Sequence, residues 1–107
     1  MNKYENEFLS YLKYLRKYSN NTIISYKHDI DLFDDFLYNH DLLLENVDKE
    51  IYRSFIKFCL NDKKFDKRSI RRITSTLKHY YQFLYDEKYI VSNPLLGVKS
   101  FKTDVKS

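Results

Sequence analysis

Apolar residues recur every three or four positions along most of this chain, which is the period of an amphipathic helix. The clearest case lies in residues 69–84, where Ile70, Ile73, Leu77, Tyr80 and Leu84 share one stripe. Near the start, Phe8, Tyr11, Leu12 and Leu15 follow i, i+3, i+4, i+7 and predict a first helix from about Lys3 to Lys17. Ile23, Tyr26, Ile30, Phe33 and Leu37 predict a second, from about Asn20 to Asn39. Ile24 and Leu32 fall on its outer side and predict a second, smaller apolar contact. Ile51, Tyr52, Phe55, Ile56, Phe58 and Cys59 point inward from a third helix that ends near Asn61. The fourth runs from a cap at Asp66 or Ser69 to about Lys88. The core expected from these stripes includes Tyr26, Phe33, Phe55, Ile73, Leu77, Tyr80 and Leu84.

The breaks between stripes carry helix-start chemistry. Ser19-Asn20-Asn21 and Asp48 offer side-chain oxygens to the first orphan amides of the helices that follow. His40 to Val47 reads as a connection, and Tyr89–Ser92 as an extended exit or helix remnant. Asn93-Pro94 stops any helix, because proline disfavours the α region for the residue before it. Residues 1–92 are therefore expected to be the folded domain. Residues 93–107, with Gly97, Ser100, Thr103 and lysines, read as a flexible linker or tail.

Composition narrows the class. The chain has 107 residues, enough for one core, and 18% of them are aromatic. It holds one glycine, Gly97, and one proline, Pro94, which leaves little room for tight hairpin turns. An all-α fold follows. Cys59 is the single cysteine, so there is no disulfide framework and no thiolate metal cluster, and its apolar neighbours predict a buried thiol. No apolar run approaches the ~18 residues of a membrane span, and the first residues lack a signal-peptide core. A cytoplasmic protein with no membrane contact is the expectation.

Charge is unevenly placed. Residues 63–79 hold seven Lys/Arg against Asp66. Residues 28–50 hold eight acids against Lys49. The side of the fourth helix opposite its apolar stripe carries Arg68, Arg71, Arg72, Ser75, Lys78, His79 and Gln82, with no acid between Lys67 and Gln82. An exposed helix usually mixes its charges, since Glu–Lys pairs help to hold it. A wholly basic and hydroxylated face suits a polyanion lying along it. Arginine can grip phosphate or guanine with two bonds, lysine supplies point charge, and hydroxyls reach phosphate or base edges. The start of the second helix adds Thr22, Ser25, Lys27 and His28.

Catalytic constellations are missing. There is no Gly-rich phosphate loop, and His28, His40 and His79 lack metal-site spacing. Asp29, Asp31, Asp34 and Asp35 spread around a helix and read as a solvated acidic face rather than a metal site. No catalytic residue, metal or cofactor is expected.

Two stretches resemble a known family. Ser19-Asn-Asn-Thr22-Ile-Ile-Ser-Tyr26-Lys-His-Asp29-Ile30 is similar to the opening of the second helix in the N-terminal domain of tyrosine recombinases of the Xer/phage-integrase type. Ser69-x-x-Arg72-x-x-Ser75-x-Leu77-Lys78-x-x-Tyr81-x-Phe83-Leu84 is similar to that domain's fourth helix. Asn93-Pro94 with Val98, Lys99 and Lys102 resembles its exit into the interdomain linker. The resemblance covers residues 5 to about 102 and implies a SAM-like, four-helix core-binding domain. It also implies that this domain forms half of a clamp on duplex DNA. By position, Arg72, Ser75, Lys78, Thr22 and Lys27 match the family's polar contacts. Geometry adds Ser69, Arg71 and His79.

There are departures from the pattern. Arg16-Lys17-Tyr18 stands where the family often has glycine, Thr76 where it often has alanine, and Phe101 where the linker usually has proline.

The family's chemistry belongs to another domain, with a nucleophilic tyrosine and an H-x-x-R motif. No histidine here is followed by arginine at that spacing. The expected role is the DNA-binding part of a site-specific recombinase, and not an enzyme by itself. Its expected partners are double-stranded DNA, the catalytic domain of the same protein and other recombinase protomers. Two alternatives share the bundle: a helical protein-interaction domain with a basic face, and an unrelated helix-turn-helix regulator.

Overall fold

A computed structural model describes residues 3–98. Its described residues form four α-helices and no strand: α1 (Lys3–Tyr14), α2 (Asn20–Asn39), α3 (Lys49–Asn61) and α4 (Lys67–Asp86). A 3₁₀ turn over Leu44–Asn46 joins α2 to α3. The all-α, four-helix SAM-like expectation therefore holds.

Each later helix starts on a side-chain cap. Ser19 accepts from the Thr22 amide at 3.3 Å, Asp48 from Ile51 at 2.9 Å and Asp66 from Ser69 at 2.8 Å. Asp66 thus takes the cap that sequence left open between it and Ser69. Each of the four helices ends in the same way, and without glycine. Lys17, Asp41, Lys64 and Lys88 take left-handed backbone angles, with φ of 56°, 55°, 57° and 65°. A hydrophobic residue follows each one: Tyr18, Leu42, Phe65 and Tyr89. Their amides bond back to the carbonyls of Leu12, Leu37, Cys59 and Leu84 at 2.9–3.0 Å. These bonds satisfy orphan helix carbonyls, while the four side chains pack against the core.

α4 is the central element and contacts α1, α2 and α3. Ile70, Ile73, Leu77, Tyr80 and Leu84 are buried, as the stripe predicts. Its inward face is wider than that stripe, because Thr74, Thr76, Tyr81 and Phe83 are buried as well. Tyr52 and Thr74 share a hydroxyl bond at 2.7 Å, and Tyr81 donates to the Leu44 carbonyl at 2.8 Å. Phe33 meets Phe55 edge-on at 4.9 Å between ring centroids. Cys59 is fully buried, and burial pushes its thiol up to about 11.

Four expectations need correction. Leu15 is 74% exposed, because α1 stops at Tyr14 instead of continuing to Lys17. α4 likewise ends at Asp86, short of Lys88. Tyr26 is only half-buried, since its hydroxyl reaches outward to His79. The chain does not leave the body at Asn93. Leu95 is 1% exposed within the core, and the Asn93 side chain accepts from the Leu95 amide at 2.9 Å and donates to Gln82 at 3.1 Å. The expectation of a flexible tail beyond residue 98 lies outside the described residues.

Candidate nucleic-acid interface

Hydrogen bonds at two points along α2 set how it lies beside α4. Tyr26 pairs with His79 at 2.8 Å, and Asp29, one turn further along α2, pairs with Arg72 and Thr76. Rising numbers on α2 thus meet falling numbers on α4, so the two helices run antiparallel. The polar start of α2 is thereby placed on the same side as the middle of α4.

On α4 itself, Arg71, Ser75, Lys78 and Gln82 recur at i, i+4, i+7, i+11 and line the middle of the outer face. Arg72 and His79 lie along its α2 edge. Arg71, Ser75 and His79 are exposed, Lys78 is half-buried and Ser69 sits partly buried on the first turn. Thr22 is exposed on α2, its hydroxyl 3.0 Å from the Ser19 cap.

Arg72 is committed in part to its own protein. Its Nε donates to Asp29 Oδ2 at 3.1 Å and its Nη2 to Oδ1 at 2.8 Å. Thr76 Oγ1 donates to the same carboxylate at 2.9 Å. Asp29 is 2% exposed, whereas the Arg72 side chain is 51% exposed. The bidentate fork uses two of five guanidinium N–H donors and fixes the plane of the group. Asp29 also raises the Arg72 pKa further above its ordinary value. This overturns the reading of Asp29 as part of a solvated acidic face. It also gives Thr76 a role that alanine could not fill.

The rest of that acidic run is less dispersed than expected. Carboxylate oxygens of Glu5, Asp31 and Asp34 lie within 4.8 Å of one another. Glu5 comes from α1, so α2 alone could not reveal the group. Burial, reinforced by Asp31 and Asp34, pushes the Glu5 carboxyl up to about 8. Burial works against ionisation of Asp31, but bonds from Glu5 and Lys27 outweigh it and hold Asp31 below the usual carboxylate range. Lys27 donates to Asp31 at 2.7 Å and lies 3.9 Å from Glu5. Of the residues singled out on sequence, Lys27 is therefore the one drawn toward the acidic side.

Sequence reasoning also passed over Arg16. It lines a cleft of about 200 Å³ between α1 and α4 together with His79 and Gln82. No helical stripe could place it, because it stands in the loop after α1.

An all-helical SAM-like domain with one long basic face is the class that this architecture defines. The family described as phage integrase, N-terminal SAM-like domain, matches residues 6–88, and the chain belongs to that family. Among curated relatives, it is 39% identical over 92 residues to tyrosine recombinase XerD of Rickettsia conorii, covering 86% of this chain and 30% of that protein. It is 38% identical over 90 residues to tyrosine recombinase XerC of Anoxybacillus flavithermus, covering 83% of this chain and 30% of that one. Tyrosine recombinase XerC of Leptospira interrogans is 31% identical over 94 residues, covering 88% and 30%. The chain thus spans about 30% of the length of these relatives. No solved structure matches it. No helix among the described residues is long and apolar enough to cross a membrane.

Proposed function

We propose that this domain is the DNA-binding module of a site-specific tyrosine recombinase. It holds duplex DNA against α4 and the start of α2 while a catalytic domain of the same protein, working with other protomers in the cytoplasm, cuts and rejoins the strands. The observation that carries this reading is the outer face of α4, where no acid stands between Lys67 and Gln82. Ser69, Arg71, Arg72, Ser75, Lys78 and His79 supply the contacts from α4, and Thr22 supplies one from α2. Lys27 contributes least, because Asp31 already meets its charge.

Most contacts are to phosphate, which fixes register without reading sequence. Binding of the isolated domain is accordingly weak, near the ~10⁻⁴–10⁻⁶ M of non-specific association at physiological salt. The test is fluorescence anisotropy with a labelled mixed-sequence duplex over a salt series. Lys78→Ala should weaken binding alike on unrelated sequences and lower the slope of log K against log salt by about one. An unchanged slope removes Lys78 from the interface. Absence of any salt-sensitive binding refutes the DNA reading and leaves an acidic protein as the partner of this face.

A further inference from the structure

At the corner where α1, α2 and α4 meet, three rings and a guanidinium gather. Tyr18 and Tyr26 stand 5.8 Å apart between centroids, and Tyr26 stacks on His79 at 6.0 Å with 12° between the planes. The Arg16 guanidinium lies 5.3 Å from the centre of the Tyr18 ring. Arg16 and His79 face each other across the α1–α4 cleft.

We propose that Arg16, Lys78 and His79 form a phosphate-binding corner at the edge of the DNA face, and that seating a phosphate there draws a proton onto His79. This rests on the DNA-binding reading above and adds to it a residue, Arg16, and a linked proton.

The chemistry starts from the hydrogen bond between the Tyr26 hydroxyl and His79 Nδ1 at 2.8 Å. Burial, with Tyr18 beside it, pushes the Tyr26 phenol up to about 12, so it stays a hydroxyl that can donate to Nδ1 or accept from it. With Tyr26 donating, the neutral imidazole carries its proton on Nε2; the second proton goes to Nδ1, and the Tyr26 hydroxyl turns to accept from it. Partial burial, followed by the charges of Arg16 and Lys78, holds the His79 pKa below the ordinary histidine value. An arriving phosphate changes the sign of that balance. Its negative charge offsets Arg16 and Lys78 and attracts an imidazolium directly.

The charged and titratable neighbours come from three elements. They are Tyr11, Arg16 and Tyr18 from α1 and its loop, Tyr26 from α2, and Lys78, Asp86 and Glu87 from α4 and its end. Asp86 accepts from Gln82 at 2.9 Å, which engages part of the acidic end of the cleft. Reciprocity fixes the consequence: if DNA raises the His79 pKa, protonation tightens DNA binding.

The experiment follows the side-chain signals of His79 by NMR from pH 5 to pH 8.5, with and without a saturating mixed-sequence 20-base-pair duplex. Affinity is measured at pH 6 and pH 8 on the same duplex. The free domain should show His79 titrating below ordinary histidine, and DNA should move its midpoint upward. Affinity should rise as pH falls, by at most about tenfold per pH unit for one linked proton. His79→Gln should flatten that dependence, His40→Gln, whose ring bonds the Phe36 carbonyl away from this face, should leave it, and Arg16→Gln should weaken binding about two- to fivefold.

Amide shifts on α4 with an unmoved His79 midpoint would overturn this inference and leave the DNA reading intact. A pH dependence that survives in His79→Gln would also overturn it, and would assign the proton elsewhere, for example to Glu5. Silence of both α4 and His79 would remove the two readings together.

Discussion

Two carboxyls are buried, Asp29 on α2 and Glu5 on α1, and their surroundings are built in opposite ways. Asp29 faces α4 and receives three bonds from donors, two of them from a cation. Glu5 faces Asp31 and Asp34, carboxyls like itself, with Lys27 at the margin. The first site surrounds its carboxylate with donors and orients an arginine. The second gives up charge, and its central carboxyl titrates far above the ordinary range. Burial is common to both, and at Glu5 it is the main cause of the upward shift. What differs is the facing helix, which offers donors to Asp29 and carboxyls to Glu5, where they reinforce burial.

The largest effect should come from breaking the donor side. Arg72→Ala leaves Asp29 buried without its cation and should destabilise the domain by about 3 kcal/mol, the low end for a broken buried pair because Arg72 is half exposed. Adding Asp29→Asn should recover much of that loss, since the stranded charge disappears. Urea unfolding of the two variants and the parent measures both values. Equal stability of Arg72→Ala and the parent would mean that the fork is ornamental.

The acidic trio predicts a change of opposite sign. Because the folded Glu5 pKa is raised, its contribution to stability is full below about 4.5 and is lost as pH climbs through about 8. Glu5→Gln keeps a donor and cannot ionise. It should gain about 1–3 kcal/mol at pH 8.5 and little at pH 5. Thermal unfolding across that range distinguishes this from a pH-independent gain.

The smallest expected effect serves as a reference for both sites. Lys64, at φ 57°, ends α3 and bears on neither acid. Lys64→Gly relieves the left-handed strain, offset by the entropy of the unfolded chain, and should add up to about 1 kcal/mol at every pH. A pH-dependent gain there would weaken the electrostatic explanation offered for Glu5.

Sequence made much of this molecule legible, for a physical reason. Helical periodicity is local, so the α4 stripe and the caps at Asp48 and Ser19 could be read directly. What escaped depends on which helices face one another. Asp29 looks like its neighbours Asp31, Asp34 and Asp35 until Arg72 and Thr76 arrive from 43 and 47 positions away. Glu5 is an ordinary first-turn acid until α2 covers it. The family pattern did pair Thr22 with Arg72, Ser75 and Lys78, yet it could not say that Arg72 braces the bundle. Lys17-Tyr18, Asp41-Leu42, Lys64-Phe65 and Lys88-Tyr89 repeat a polar–hydrophobic pair at each helix end. The same kind of pair also occurs inside helices, at Lys13-Tyr14 in α1 and Lys57-Phe58 in α3, so it marks an end only where the backbone turns left-handed.

The central claim is that the outer face of α4 is where duplex DNA lies. Its most direct test is to map backbone amide shifts during titration with a short mixed-sequence duplex at low salt. Saturable shifts should cluster at residues 69–82, with a second group near Thr22, while α3 and the surface around Asp34 and Asp35 stay still. Saturable shifts confined to the acidic surface, with residues 69–82 silent, would contradict the account.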